Sequence, residues 1–169
     1  MAKQYPTAET LREVLDYDAE TGIFRWKKSL SAKIKIGSLA GTKHPRGWQI
    51  SSKILGGAFL AHRLAWMYVT GENPGQDMVV DHRDRNPMNN AFSNLRLCTQ
   101  QQNTWNQSLK KQNKTGVKGV HVLKSGKFHA RIRTAEGIKI LGNFDDLDSA
   151  TLAVDSARAK YHGEFAAFG

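Results

Sequence analysis

The chain has 169 residues, enough to bury a hydrophobic core, and its 25 lysines and arginines against 15 acids give a net charge of +10, which makes a polyanion the default partner. A single cysteine, Cys98, excludes an internal disulfide and a Cys-rich zinc site. No apolar run nears the roughly 20 residues of a membrane helix and no signal-peptide core opens the chain, so the expectation is a soluble, intracellular protein.

Thr10 to Leu15 predicts a short helix with Leu11, Val14 and Leu15 on its apolar side. Gly22 to Trp26 alternates as a strand after a Glu-Thr-Gly turn. Residues 34–60 read as short strands punctuated by glycine, at 36–39, 48–50 and 57–60. From Ala61 to Val69 the spacing of Leu60, Leu64, Met67 and Tyr68 predicts a helix closed by Gly71 and Pro74. His62 and Arg63 are placed on its surface, and His62 is not read as catalytic.

The segment Met78 to Trp105 carries the chemistry. An apolar run, Met78-Val79-Val80, delivers Asp81-His82; a loop of turn formers follows, ending at Asn94; Leu95 to Cys98 makes a second strand; a helix then carries Asn103. An acid, an imidazole and two amides on a strand, loop, strand and helix suit metal-assisted phosphodiester cleavage. Histidine, with an ordinary pKa of about 6.5, is neutral enough near pH 7 to activate water. A hard cation such as Mg²⁺ keeps several waters and needs few protein oxygens, which one carboxylate and one amide supply. Neighbours on a strand point to opposite faces, so Asp81 and His82 meet one site only if the strand ends or bends there. Asn86, Asn89 and Asn90 read as turn residues, Asn94 as a turn residue or a site residue, and Asn106 as a competing amide ligand.

The same segment resembles the HNH nucleases, in the variant of phage and intron homing endonucleases whose last histidine is asparagine. The resemblance rests on Asp81-His82, the loop 86–90, Ser93-Asn94-Leu95-Arg96 and Gln102-Asn103. It extends upstream to Ala61-His62-Arg63-Leu64-Ala65-Trp66, to Leu15-Asp16-Tyr17-Asp18, and from Thr21-Gly22 to Trp26. It implies His82 as general base, Asn94 holding its imidazole, and Asp81 and Asn103 binding one divalent metal, Mg²⁺ or Mn²⁺. The structural zinc of some HNH proteins is not expected.

Residues 108–115 are polar and basic and read as a linker. Beyond it, Val117 to Leu123, Phe128 to Thr134 and Ile138 to Phe144 predict three strands, and a helix begins near Asp146 and stops at Gly163. On the second strand Phe128, Ala130 and Ile132 share one face, and His129, Arg131 and Arg133 the other. From Ser108 to Arg133 there are eight lysines or arginines and no acid.

This part resembles the DNA-binding domain of plant ethylene-response factors, through Gly116-Val117-Lys118-Gly119-Val120, Phe128 to Arg133, Leu141 to Asp145 and the alanine-rich helix ending at Tyr161-His162-Gly163. The resemblance implies DNA contacts from Lys118, His121, Arg131 and Arg133, and the basic strand face adds Lys127 and His129. The third strand departs from that family, with Ile138 and Ile140 where it has arginine and tryptophan, and is assigned no contact.

The expected architecture is α+β. It comprises an N-terminal region over 1–107 with an HNH ββα-metal core at about 60–107, the linker 108–115, and a three-stranded antiparallel sheet packed on one helix over 116–169. The expected function is a phage- or mobile-element-encoded, site-specific endonuclease acting on double-stranded DNA as a monomer or homodimer. A monomer nicks, and a double-strand break needs two chains or two events. The alternatives are a catalytically inactive DNA-binding regulator and a basic RNA-binding protein; the second is disfavoured because the basic strand face lacks aromatic platforms.

Overall fold

Thr7 starts the first helix. Its hydroxyl accepts the Thr10 N–H at 3.2 Å, satisfying one of the open donors of α1 (Ala8–Val14). Leu15, expected to close that helix, instead begins β1 (Leu15–Asp18), antiparallel to β2 (Ile23–Trp26), with Leu15 opposite Trp26. The computed structural model describes residues 4–31, 34–107, 109 and 112–167.

Residues 36–39, expected as a strand, form a turn around Gly37 at φ 81°, and Leu39 alone bridges to Arg25. The strands that follow are β3 (Thr42–His44), β4 (Gly47–Ser52) and β5 (Gly57–Leu60), an antiparallel sheet with β4 in the middle. The chain passes directly into α2 (Ala61–Thr70), which ends on left-handed Gly71 with its N–H returned to the Met67 carbonyl at 3.0 Å. Leu64 and Met67 of α2 join Leu11, Val14, Phe24, Ile50 and Phe59 in one core. A hairpin of β6 (Met78–His82) and β7 (Leu95–Thr99) adds Val80 and Leu95 to it. Its register pairs Asp81 with Arg96 and His82 with Leu95.

A second core belongs to the C-terminal part. Here α3 (Gln100–Asn106) precedes β8 (Val120–Val122), β9 (Phe128–Thr134), β10 (Gly137–Phe144) and α4 (Leu147–His162). The strands form an antiparallel sheet in the order β10-β9-β8, and Val120 and Ala130 pack against Ala150 and Val154 of α4. Asp146 caps α4 by accepting the Ser149 N–H at 2.7 Å. β8 is shorter than Val117 to Leu123 because the Thr115 hydroxyl donates to the Val117 and Val120 carbonyls and Gly119 turns at φ 91°. A Cβ on Gly119 would lie 2.6 Å from the Arg131 carbonyl oxygen. Among the described residues, small antiparallel sheets and four α-helices are consistent with the α+β class.

The compact units are Met1–Thr99 and Gln100–Gly169. Of the segment 108–115, expected as a linker, Ser108, Lys110 and Lys111 fall outside the described residues. What assigns α3 to the second unit is specific bonding. Gln101 Nε2 donates to the Thr134 carbonyl at 2.9 Å, and Trp105 stacks on His162 with ring centroids 4.3 Å apart. Lys118 Nζ donates to the carbonyls of Thr104, Trp105 and Gln107 at 3.1, 2.9 and 2.8 Å, capping the helix C-terminus. Among the described residues no helix is long and apolar enough to cross a membrane.

Candidate active site

Antiparallel register determines what Asp81 and His82 meet. Asp81 and its cross-strand partner Arg96 share one face of the hairpin, and the Arg96 Nε and Nη2 both donate to Asp81 Oδ2, at 3.1 and 3.0 Å. Both side chains are buried, 7 % and 6 % exposed. His82 is the last residue of β6, where the strand ends. It is 8 % exposed, and its ring lies edge-on to that of His62 on α2, centroids 4.9 Å apart.

Asn90 touches the imidazole. Its Oδ1 lies 3.2 Å from His82 Nε2, while its Nδ2 donates to the Met88 carbonyl at 3.3 Å. The second bond orients the amide so that its oxygen faces the ring, a geometry that suits the tautomer with hydrogen on Nε2. Asn94, expected at the imidazole, is elsewhere. Its Oδ1 accepts the Asp84 N–H at 3.0 Å, and its Nδ2 donates to Asp84 Oδ1 at 2.9 Å and the Asn89 carbonyl at 2.8 Å. The 3₁₀ turn Phe92–Asn94 aims that side chain across the loop instead of at the strand end. Asn94 thus holds the loop, and Asn90, read from sequence as a turn former, holds the ring.

The N-terminal hairpin braces this loop. Tyr17 donates its hydroxyl to the Asn90 carbonyl at 2.7 Å, and the Phe92 N–H reaches the Ala19 carbonyl at 2.8 Å. Gly22 approaches so closely that a Cβ there would sit 2.2 Å from the Asn90 carbonyl carbon. Within the loop Arg85 adopts left-handed backbone at φ 64°, returning its N–H to the His82 carbonyl at 3.0 Å.

Different outcomes are expected for the two amides. Asn90→Ala loses two hydrogen bonds from a buried amide and lowers turnover by more than its loss of stability explains. Asn94→Ala loses three hydrogen bonds, destabilises the N-terminal unit by roughly 2–3 kcal/mol, and lowers activity through the loop. Thermal melts beside single-turnover rates check this. A rate loss in Asn90→Ala no larger than in Asn94→Ala, at a temperature where both are folded, would remove the distinction.

His62, placed by sequence on the helix surface, is a half-buried neighbour of the site whose Nδ1 is buried without a hydrogen-bond partner. Burial, with His82 and Arg63 adding to it, pushes its pKa down to about 3, so the ring beside His82 is neutral at physiological pH. The signal for it was the position of His62 one residue into a helix whose buried side faces β6.

Residues 59–104 match a family model described as HNH endonuclease. Over 107 residues the chain is 34 % identical to Protein 3.8 of Escherichia phage T7, covering 63 % of this chain and 88 % of the phage protein. The chain belongs to the family of that protein and carries an HNH endonuclease domain. It is also 41 % identical over 64 residues to the uncharacterized HNH endonuclease L560 of Acanthamoeba polyphaga mimivirus, covering 38 % of this chain and 34 % of that protein. No solved structure matches.

The HNH domain implies a nuclease acting on DNA, and HNH nucleases generally depend on a divalent metal. Among the described residues no three His, Cys, Asp or Glu come together. The Asp81 carboxylate is a hard oxygen donor of the kind that would suit a hard divalent cation. Asn103 lies on α3 in the second unit, and its part as the amide ligand rests on the resemblance.

The match ends at residue 104 and leaves the C-terminal sheet outside it. On that sheet Arg131 and Arg133 are exposed, and His121 pairs across the strands with His129, whose Nδ1 lies 2.8 Å from Asn143 Oδ1. Burial, Arg131 and His129 hold His121 below its ordinary pKa. Two expected DNA contacts are otherwise engaged. Lys118 caps α3, and Lys127 forms an exposed ion pair with Asp145 at 2.8 Å, a pair weak enough for a phosphate to replace.

Proposed function

We propose that this chain is a site-specific DNA endonuclease of the HNH homing type, hydrolysing a phosphodiester with His82 as general base. The observation that carries this reading is the held imidazole: His82 ends a buried strand, its Nε2 engaged by Asn90 and its loop clamped by Asn94 and Tyr17. A base oriented in this way contributes typically a 10²–10⁴-fold acceleration. Nδ1 takes the proton of the attacking water, and Asn90 keeps the ring from turning as charge develops on it. A divalent cation held by Asp81 would supply Lewis-acid stabilisation of the charge on the scissile phosphate and leaving oxygen. Arg96 holds Oδ2 of the Asp81 carboxylate.

The C-terminal sheet and helix act as a DNA-binding domain of the ethylene-response-factor type. Support comes from the basic exposed face of β9, with Arg131, Arg133 and His129, and from the cover that α4 gives the opposite face. Two viral relatives suit a phage or mobile-element origin.

The test is cleavage of supercoiled plasmid carrying DNA from the chain's own genomic neighbourhood. With Mg²⁺ it is nicked or linearised, leaving 5′-phosphate and 3′-hydroxyl ends; with EDTA it stays intact. Cutting that persists in EDTA, or 3′-phosphate ends, refutes the mechanism. Duplex binding without cutting under any divalent metal favours a regulator.

A further inference from the structure

The face of β10 is unusual for its solvent exposure. Ile138 and Ile140 are 53 % and 71 % exposed on an edge strand, where a long side chain of this kind invites unwanted pairing. Their cross-strand partners are the arginines: Ile138 opposes Arg133, and Ile140 opposes Arg131. Directly opposed residues share a face, with Cβ atoms about 4.5–5.5 Å apart, so the exposed side of the sheet alternates arginine and isoleucine. No carboxylate occurs on β8, β9 or β10, and the other side of the sheet is covered by α4.

Resting on the DNA-binding reading above, we propose that this face reads thymine. Ile138 and Ile140 pack against the 5-methyl groups that thymine presents in the major groove, beside phosphate and guanine contacts made by Arg131 and Arg133. Charge complementarity selects the partner: a basic face free of acid fits a polyanion, and the thymine methyl is the apolar group that a major groove offers. RNA lacks that methyl, so the same pairing favours DNA over RNA. Spacing adds a constraint. Two residues along a strand advance about 6.7 Å, close to two base steps of about 3.4 Å. A strand following the groove therefore sets the two isoleucines over base pairs separated by one.

The experiment uses the full chain in EDTA, so that binding is read without cutting. Duplexes are selected from a random pool and sequenced, and affinities for the selected duplex are measured by fluorescence anisotropy. The expected site has A·T pairs at two positions separated by one. Replacing either thymine with deoxyuracil weakens wild-type binding about fourfold, the worth of one buried methyl-sized group. Ile140→Ala binds the thymine duplex about as weakly as wild type binds the uracil duplex, and ignores the uracil at its own position.

Equal wild-type affinity for thymine and uracil duplexes overturns the inference, as does a selection that enriches no sequence. So does an Ile140→Ala effect confined to self-association, which would place a second copy on the strand. The wider reading fails separately: Arg131→Ala and Arg133→Ala leave binding unchanged only if this face does not meet DNA at all.

Discussion

His82→Ala is expected to abolish strand cleavage while leaving duplex binding unchanged. Loss of a general base removes roughly 10²–10⁴-fold in rate, a larger kinetic effect than any other single substitution considered for this chain. The imidazole is 8 % exposed and sits against His62, so some destabilisation accompanies the change. His82→Gln, closer in volume and unable to act as a base near pH 7, separates the two consequences. Both variants should bind DNA with wild-type affinity, because the basic residues assigned to binding lie on the C-terminal sheet. Single-turnover nicking in Mg²⁺ beside anisotropy decides the matter. A His82→Gln rate within tenfold of wild type would move the base elsewhere, with His62 the first residue to test.

The largest stability effect is expected at Arg96. Its guanidinium gives two hydrogen bonds to one oxygen of Asp81, and both side chains are buried. Truncation to alanine strands a carboxylate in a poorly solvated site, and breaking such pairs costs about 3–5 kcal/mol. For a unit of about one hundred residues each kcal/mol moves the midpoint by roughly 4–8 °C. The melting transition of the N-terminal unit should thus fall by more than about 10 °C. Lysine does not restore it, because an ammonium cannot reproduce the planar pair of bonds. Removing both charges together, with Arg96→Met and Asp81→Leu, should recover most of the loss while leaving an inactive protein. An Arg96→Ala variant that melts within about 2 °C of wild type would show that the pair is solvated and unimportant to folding.

Much of the chain was legible because short-range rules govern it. Alternation placed β2 and β9, apolar runs placed β6 and β7, and glycine punctuation placed β5; Gly71 and Gly163 ended helices where expected, and Asp146 capped α4. The misreadings arose where long-range packing overrode local pattern. Leu15 has a helical neighbourhood yet pairs with Trp26 as a strand. The stretch 36–39 has strand-like composition but turns at Gly37. Lys118 sits in a basic run, yet its ammonium is drawn to three carbonyls at the end of α3.

By itself the sequence determined the order of elements around the site, the identity of the candidate base and acid, and the basic character of the C-terminal strands, since these depend on residue type and near-neighbour spacing. Tertiary structure alone decided which amide meets the imidazole. Asn90 and Asn94 are interchangeable by composition, and the choice between them follows from the 3₁₀ turn before β7 and the Tyr17 bond from the N-terminal hairpin. It alone brought His62 to His82 and set two isoleucines beside two arginines. A hydrogen bond or ring contact depends on distance and direction between groups far apart in the chain, and only the packed core supplies those.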